Sequence, residues 1–153
     1  MLQKLFQGLF LGAMVAVSSV VLAQPNWRGA DLREHNFSGQ DLQGADFYGA
    51  TGVLARFIGT KLQNARFYGA NMSQADFTEA HLEGANCYGA DFHGAILRGA
   101  YLQGTSFYGA DLRGANLRGA HAQGANFYGA DLRGADTTGW EVDQFTDLRG
   151  VKR

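Results

Sequence analysis

Histidine and cysteine are the side chains of this 153-residue chain with the clearest capacity for chemistry. Imidazoles bind metals and transfer protons, and a thiolate is a nucleophile. The chain has four histidines and a single cysteine, Cys87. With no second cysteine, Cys87 has no disulfide partner within the chain. Whether the histidines meet depends on the elements that position them.

A five-residue repeat fills the chain from Pro25 to Gly139, in 23 consecutive pentads without an inserted or deleted residue. Ala is first in 18 of the 22 pentads that begin between positions 30 and 135, Phe or Leu is usually third, and Gly is fifth in 18 of 23. The alternation places the first and third residues on one face of an extended segment. Similar pentads, such as Ala45–Gly49 and Ala125–Gly129, recur at multiples of twenty residues, so four pentads complete one coil.

Three pentads carry a family resemblance: Ala110–Gly114, Ala115–Gly119 and Ala130–Gly134 read Ala-(Asp/Asn)-Leu-Arg-Gly. They match the motif Ala-(Asp/Asn)-Leu-X-X of the pentapeptide-repeat family, which the chain resembles from Pro25 to Gly139. The resemblance implies an all-β fold, a right-handed quadrilateral β-helix with four pentads per coil. The 23 pentads then give about six coils and a height of roughly 28 Å.

The segment 1–23 lies outside the repeat and predicts a helical signal peptide, so this is expected to be an exported member of the family. Lys4 supplies a positive start, Leu9–Leu22 is almost wholly apolar, and Val21-Leu22-Ala23 offers a cleavage site. The alternative is an uncleaved anchor, because Leu5–Leu22 approaches the roughly 20 apolar residues of a membrane-spanning helix. The membrane is a partner only in that case.

We therefore expect three regions: a signal peptide at 1–23, the β-helix at 24–139 and a C-terminal cap at 140–153. The predicted location is the periplasm, or the thylakoid lumen if the source is a cyanobacterium. Both ends of a β-solenoid expose strand edges. The family often dimerises through an end of the β-helix, which makes a homodimer a further expectation.

Stacking the chain by twenty residues predicts what lies inside. Cys87 falls in an internal aromatic column, where it is expected to act as a small buried hydrophobe. Gly52 falls where a large side chain belongs, leaving either a cavity or a local bulge that turns Val53 or Leu54 inward. We expect the bulge.

The same stacking separates the histidines. His81 and His121 share an outward column two coils apart, roughly 10 Å, which is too far for a common metal ligated at about 2 Å. His93 has no acidic partner in its row. We therefore predict no catalytic residues, no metal, no cofactor and no enzymatic activity.

The candidate binding face is an outward column of fourth-position tyrosines, here called the tyrosine column: Tyr48, Tyr68, Tyr88, Tyr108 and Tyr128. Arg28 lies below it. The structural interpretation is that stacked identical rings stabilise neighbouring strands. The functional interpretation is a docking strip for a protein or glycan. A second outward column, Gln43, Gln63, Glu83, Gln103 and Gln123, is expected to form an amide ladder.

The predicted function is a non-catalytic exported scaffold or protein-interaction module. Binding of a glycan or ordered surface through the tyrosine column is the alternative. A third hypothesis is the gyrase-inhibiting branch of the family, whose members resemble B-form DNA in size and negative charge. That function needs an acidic face, whereas this chain interleaves 13 basic with 14 acidic residues. No nucleic-acid partner is indicated.

Overall fold

Short parallel strands build the protein into a right-handed quadrilateral β-helix, as the sequence predicts. The computed structural model describes residues 24–153, so the predicted signal peptide lies outside the described residues. Parallel bridges join the second residue of each pentad to the residue twenty positions later, from Asn26↔Asp46 to His121↔Glu141. Each strand contains a single bridged residue, and turns at the fourth and fifth positions separate successive strands. Within residues 24–153, no helix has the length and apolarity needed to cross a membrane.

The first and third residues of the pentads form the core. From Leu32 to Leu132, almost all of these alanines, phenylalanines and leucines are at most 5% exposed. Rings stack along a column, as Phe47 does on Phe67 with centroids 4.7 Å apart, and meet the next column edge-on, as Phe47 meets Phe57. Each large side chain that is fully buried contributes about 1.5–3 kcal/mol.

Four of the five backbone N–H groups in a regular pentad bond to backbone carbonyls. In the pentad Ala85–Gly89, three of these bonds run to the neighbouring coils and one closes the preceding turn. The N–H of the fourth residue, Tyr88, instead donates to the side chain of Asn86 at 3.0 Å. The same contact recurs wherever Asp or Asn is second in a described pentad. This satisfied donor explains the Asp/Asn of the motif.

The corners of each coil are four-residue turns with a positive φ at the third residue, the signature of a type II turn. Glycine tolerates that conformation and occupies most of these positions. Five corners carry other residues with φ between 55° and 60°: Glu34, Leu54, Asn64, Gln74 and Glu79.

The bulge expected at Gly52 does not form. The Thr51↔Asn71 bridge is intact, Gly52 N–H donates to the Asn71 carbonyl at 2.7 Å, and Leu54 stays exposed. The side chain of Met72, in the next coil, fills the space instead. Its Sδ atom would lie only 2.6 Å from a Cβ built on Gly52. The flexible thioether side chain fills the gap that the missing side chain leaves.

The ladder continues beyond Gly139, where the sequence analysis ended the regular pentads. The last two bridges, Asn126↔Asp147 and Asp131↔Lys152, join residues 21 positions apart. One residue is therefore inserted between Glu141 and Asp147, and the coil resumes one position out of register. The C-terminal segment 140–153 thus covers the end of the β-helix as a shifted coil, with three apolar side chains packed on the core: Trp140, Leu148 and Val151.

Polar contacts of Asp143 and Thr146 accommodate the inserted residue. The carboxylate of Asp143 accepts the N–H of Gly124 at 2.9 Å, in place of the backbone carbonyl used elsewhere, and also accepts the N–H of Phe145. Thr146 takes the inward first position, and its hydroxyl donates to the Ala122 carbonyl at 3.1 Å. Thr60 and Thr105 replace alanine at first positions in the same way.

Candidate functional site: the tyrosine column

The structure brings the five predicted site residues together in one straight column. Each tyrosine occupies the first corner position of its turn, so its ring projects outward at 38–43% exposure. Successive ring centroids lie 5.3, 5.1, 5.0 and 5.1 Å apart, and no pair of planes is tilted by more than 16°. The twenty-residue register of the ladder fixes this spacing.

An arginine covers each end of the tyrosine column. The guanidinium of Arg28 lies 4.2 Å from the ring centroid of Tyr48, and that of Arg149 lies 5.6 Å from the ring centroid of Tyr128. Both are cation–π contacts. Each arginine also pairs with a carboxylate, Arg28 with Asp46 at 3.0 Å and Arg149 with Asp147 at 2.7 Å.

The twenty-residue register predicts Arg28 below the tyrosine column but does not predict Arg149 above it, because the inserted residue moves Arg149 out of that register. A signal was present, since Thr146-Asp-Leu-Arg-Gly150 repeats the family motif one position late. Allowing a single insertion after Glu141 would have placed Arg149 above Tyr128.

The stacking determines which parts of the rings a ligand can reach. Each ring covers the face of its neighbour, and the two arginines cover the outer faces of Tyr48 and Tyr128. Ring edges and phenol hydroxyls form the accessible surface. A sugar that binds by stacking on an aromatic face has no open face here, so the column is a poor platform for carbohydrate stacking and suits edge and hydrogen-bond contacts.

The second outward column does not form the amide ladder expected of it. Among the described residues, no hydrogen bond joins the side chains of neighbouring members of this column. Gln43 donates to Asp41 and Gln123 to Glu141 instead. Three glutamine Oε1 atoms and one glutamate Oε2 are buried without a protein partner: those of Gln63, Gln103, Gln123 and Glu83.

The histidines remain apart, as predicted. His81 and His121 stack on opposite faces of Tyr101, with centroids 4.4 and 4.9 Å away. Their Nδ1 atoms contact Glu83 at 3.1 Å and Glu141 at 2.7 Å. Within residues 24–153, no three His, Cys, Asp or Glu side chains are grouped to hold a metal.

Cys87 is fully buried in the aromatic core, as expected for a small apolar residue. Burial raises the pKa of its thiol, which keeps it protonated and unreactive. Two shallow concave features lie in the last coils, one beside Trp140 and one beside Phe145, and neither is lined by a tyrosine of the column.

Arginine and aspartate of the same pentad neutralise each other along the outer surface. Arg113 contacts Asp111 and Arg133 contacts Asp131, both at 2.6 Å. Hydrogen bonds from the Arg133 side chain lower the pKa of Asp131 to about 2. The C-terminal half therefore presents paired charges rather than a continuous acidic face.

Comparisons with known proteins agree with this architecture. The family model described as pentapeptide repeats matches eight copies, over residues 18–51, 53–86, 60–99, 75–114 and 100–136. No curated protein matches the chain significantly. QnrB1, described as a plasmid-mediated fluoroquinolone resistance protein, shares the fold with a TM-score of 0.53 and 19% identity, over 85% of this chain and 70% of that chain.

Two further solved structures are more similar in sequence but superpose less well. A pentapeptide repeat protein from the Arabidopsis thaliana thylakoid lumen is 35% identical over 68% of this chain and 66% of its own, with a TM-score of 0.47. HetL, a pentapeptide repeat protein involved in heterocyst differentiation regulation from Nostoc sp. strain PCC 7120, is 26% identical over 85% of this chain and 73% of its own, with a TM-score of 0.34. Since the family model spans most of the sequence, the chain belongs to the pentapeptide-repeat family.

Proposed function

We propose that this protein is a non-catalytic interaction module that binds a protein partner along the tyrosine column. The observation that carries the proposal is a line of five exposed rings, locked by mutual stacking and by an arginine at each end. Such a surface is ordered before binding, so little side-chain entropy is lost when a partner docks. Tyrosine also combines apolar area with a hydroxyl, which suits protein interfaces.

The alternatives are less well supported by the same geometry. Glycan stacking lacks open ring faces, although the phenol hydroxyls could still bond an ordered polar surface. Mimicry of DNA needs a continuous negative surface, whereas Asp111, Asp131 and Asp147 are each paired with an arginine. A protein partner is therefore the proposal that we would test first.

The test removes three rings and leaves the backbone ladder in place. In the variant Tyr68→Ser/Tyr88→Ser/Tyr108→Ser, chemical crosslinking in the source cells should lose the partner that the parent protein captures. The matched control, Gln63→Ser/Gln103→Ser/Gln123→Ser, changes three side chains at the same pentad position on another edge of the β-helix and should retain it. If the tyrosine variant is folded, as circular dichroism would show, and still captures the partner, the tyrosine column is not the interface.

Two binding assays separate the alternatives. Retention on a glycan array that depends on the same tyrosines would favour an ordered-surface ligand, and inhibition of gyrase supercoiling by the purified protein would favour the DNA-mimic function. Neither result is expected.

We also propose that the protein works outside the cytoplasm, in the periplasm or, in a cyanobacterium, the thylakoid lumen. The apolar stretch and cleavage signal before Gln24 support this location. Intact mass of the protein from fractionated source cells tests it. A mature chain that starts at Gln24 in the exported fraction is expected, while a chain retaining Met1 in the cytosol would contradict export.

A further inference from the structure

We propose that the tyrosine column also relays single oxidising equivalents, passing a tyrosyl radical from ring to ring along the protein. Electron exchange between aromatic groups weakens steeply with distance, and rings in stacked contact exchange electrons most readily. The five phenols form an unbroken series with centroids 5.0–5.3 Å apart. This role does not rest on the partner binding proposed above.

The relay conserves electrons and protons at each step. A metal-centred one-electron oxidant of high potential, the class to which the ruthenium label used below belongs, takes one electron from a tyrosine at one end and is itself reduced, and the phenol proton passes to water because the column is exposed. The neighbouring tyrosine then gives that radical one electron, and water exchanges the proton, so the first phenol is restored. At the far end a one-electron donor, such as a phenol or thiol, returns the electron and water returns the proton. No residue of the column is consumed.

The terminal arginines leave both ends of the column usable. Arg28 and Arg149 lie over the outer faces of Tyr48 and Tyr128, but each is paired with a carboxylate, Asp46 at 3.0 Å and Asp147 at 2.7 Å. Neither arginine therefore holds an uncompensated positive charge that sets the end rings apart from the three rings between them.

The rest of the chain contains a natural comparison. Tyr101, the sixth tyrosine, is stacked between two imidazoles and has no tyrosine neighbour in its column. The oxidisable sulfurs of Met72 and Cys87 are fully buried, which keeps them from direct contact with an oxidant in solution.

The experiment injects an electron hole at one end and detects it at the other. In the full chain, Asn26→Cys places a thiol near Tyr48 for attachment of a ruthenium photo-oxidant, and buried Cys87 does not compete for the label. Tyr128 is replaced by 3-aminotyrosine, which is oxidised more easily than tyrosine and serves as a trap. A laser flash with an external electron acceptor starts the reaction, and absorption of the aminotyrosyl radical reports arrival.

Tyr88→Phe removes the central phenol while keeping a stacked ring, so the fold should be preserved, as circular dichroism would verify. In this variant the radical must cross about 10 Å from Tyr68 to Tyr108 in one step. We expect the aminotyrosyl signal to appear in the parent, to appear at least tenfold more slowly in Tyr88→Phe, and to keep the parent rate in the matched control Tyr101→Phe. An equal rate in the parent and Tyr88→Phe would overturn the proposal. So would a parent in which a radical forms at Tyr48 and never reaches position 128.

Discussion

At the scale of single residues, the corner position decides how much strain each pentad carries. An L-residue with positive φ costs roughly 1–2 kcal/mol relative to its preferred conformations, while glycine does not pay this steric cost. Leu54 adopts φ 60° and exposes 49% of its surface, so little packing offsets its strain.

Leu54→Gly should therefore raise the free energy of unfolding, by about 0.5–1 kcal/mol after the extra flexibility of glycine in the unfolded chain. Denaturant titration measures the change. Leu54→Ala is the control, since it shortens the side chain but keeps a Cβ in the strained conformation. A glycine variant no more stable than the alanine variant would show that the corner is unstrained.

Gly52 is needed for space and not for its φ, which lies outside the left-handed region. The Met72 side chain already occupies the position where a Cβ would lie. Gly52→Ala should destabilise the protein by about 1–3 kcal/mol, as overpacked cores do, because the new Cβ meets Met72 Sδ. Combining it with Met72→Ala should cost less than the sum of the two single changes, since the truncated side chain makes room. Strict additivity of the three unfolding free energies would contradict the contact.

At the scale of the pentad and the coil, ion pairs between the second and fourth residues of a pentad make the free energy of unfolding depend on pH. The pKa of Asp131 falls from 3.8 to about 2 in the folded protein, chiefly through hydrogen bonds from Arg133. A carboxyl whose pKa is lower when folded stabilises the folded state above its unfolded pKa, and that contribution disappears as pH falls through the folded value.

The unfolding free energy should accordingly drop between about pH 4 and pH 2, in part through Asp131. Asp131→Asn should lessen that drop, measured as the difference in denaturation midpoint across the range. If the Asp131→Asn variant responds to acid like the parent, the Asp131 pair is not a source of the dependence.

Within regular coils the sequence predicts which residues lie inside and outside, but it does not predict local departures from the repeat. The inward Phe and Leu columns and the tyrosine column could be predicted, because a fixed register of twenty residues converts chain position directly into spatial position. The filling of the Gly52 site could not, since it depends on the side-chain conformation of Met72 one coil away. The position of Arg149 over Tyr128 could not be predicted for another reason. A single inserted residue breaks the twenty-residue register that relates chain position to spatial position.

For the molecule as a whole, the C-terminal end carries the most exposed large apolar side chain of the described residues. Phe145 is 73% exposed, and Val142 in the same coil is 41% exposed. Exposed apolar groups at the end of a β-solenoid favour association.

We expect the protein to form a homodimer through this C-terminal end. Light scattering coupled to gel filtration should give the dimer mass for the parent and a shift towards monomer for Phe145→Ser. Tyr68→Ser alters the side of the β-helix and should remain dimeric. A monomeric parent, or loss of the dimer only in the tyrosine variant, would rule out this mode of association.

The constant register of the ladder has a consequence for how such a protein can change over generations. In the gene, duplication or deletion of one whole coil lengthens or shortens the tyrosine column by one ring and leaves every other alignment intact. Gain or loss of a single pentad moves all following pentads to different sides. The one extra residue after Glu141 is instead absorbed locally, since Arg149 still lies over Tyr128. The reach of the column can thus be altered by recombination in discrete steps, and its length records how many coils selection has kept.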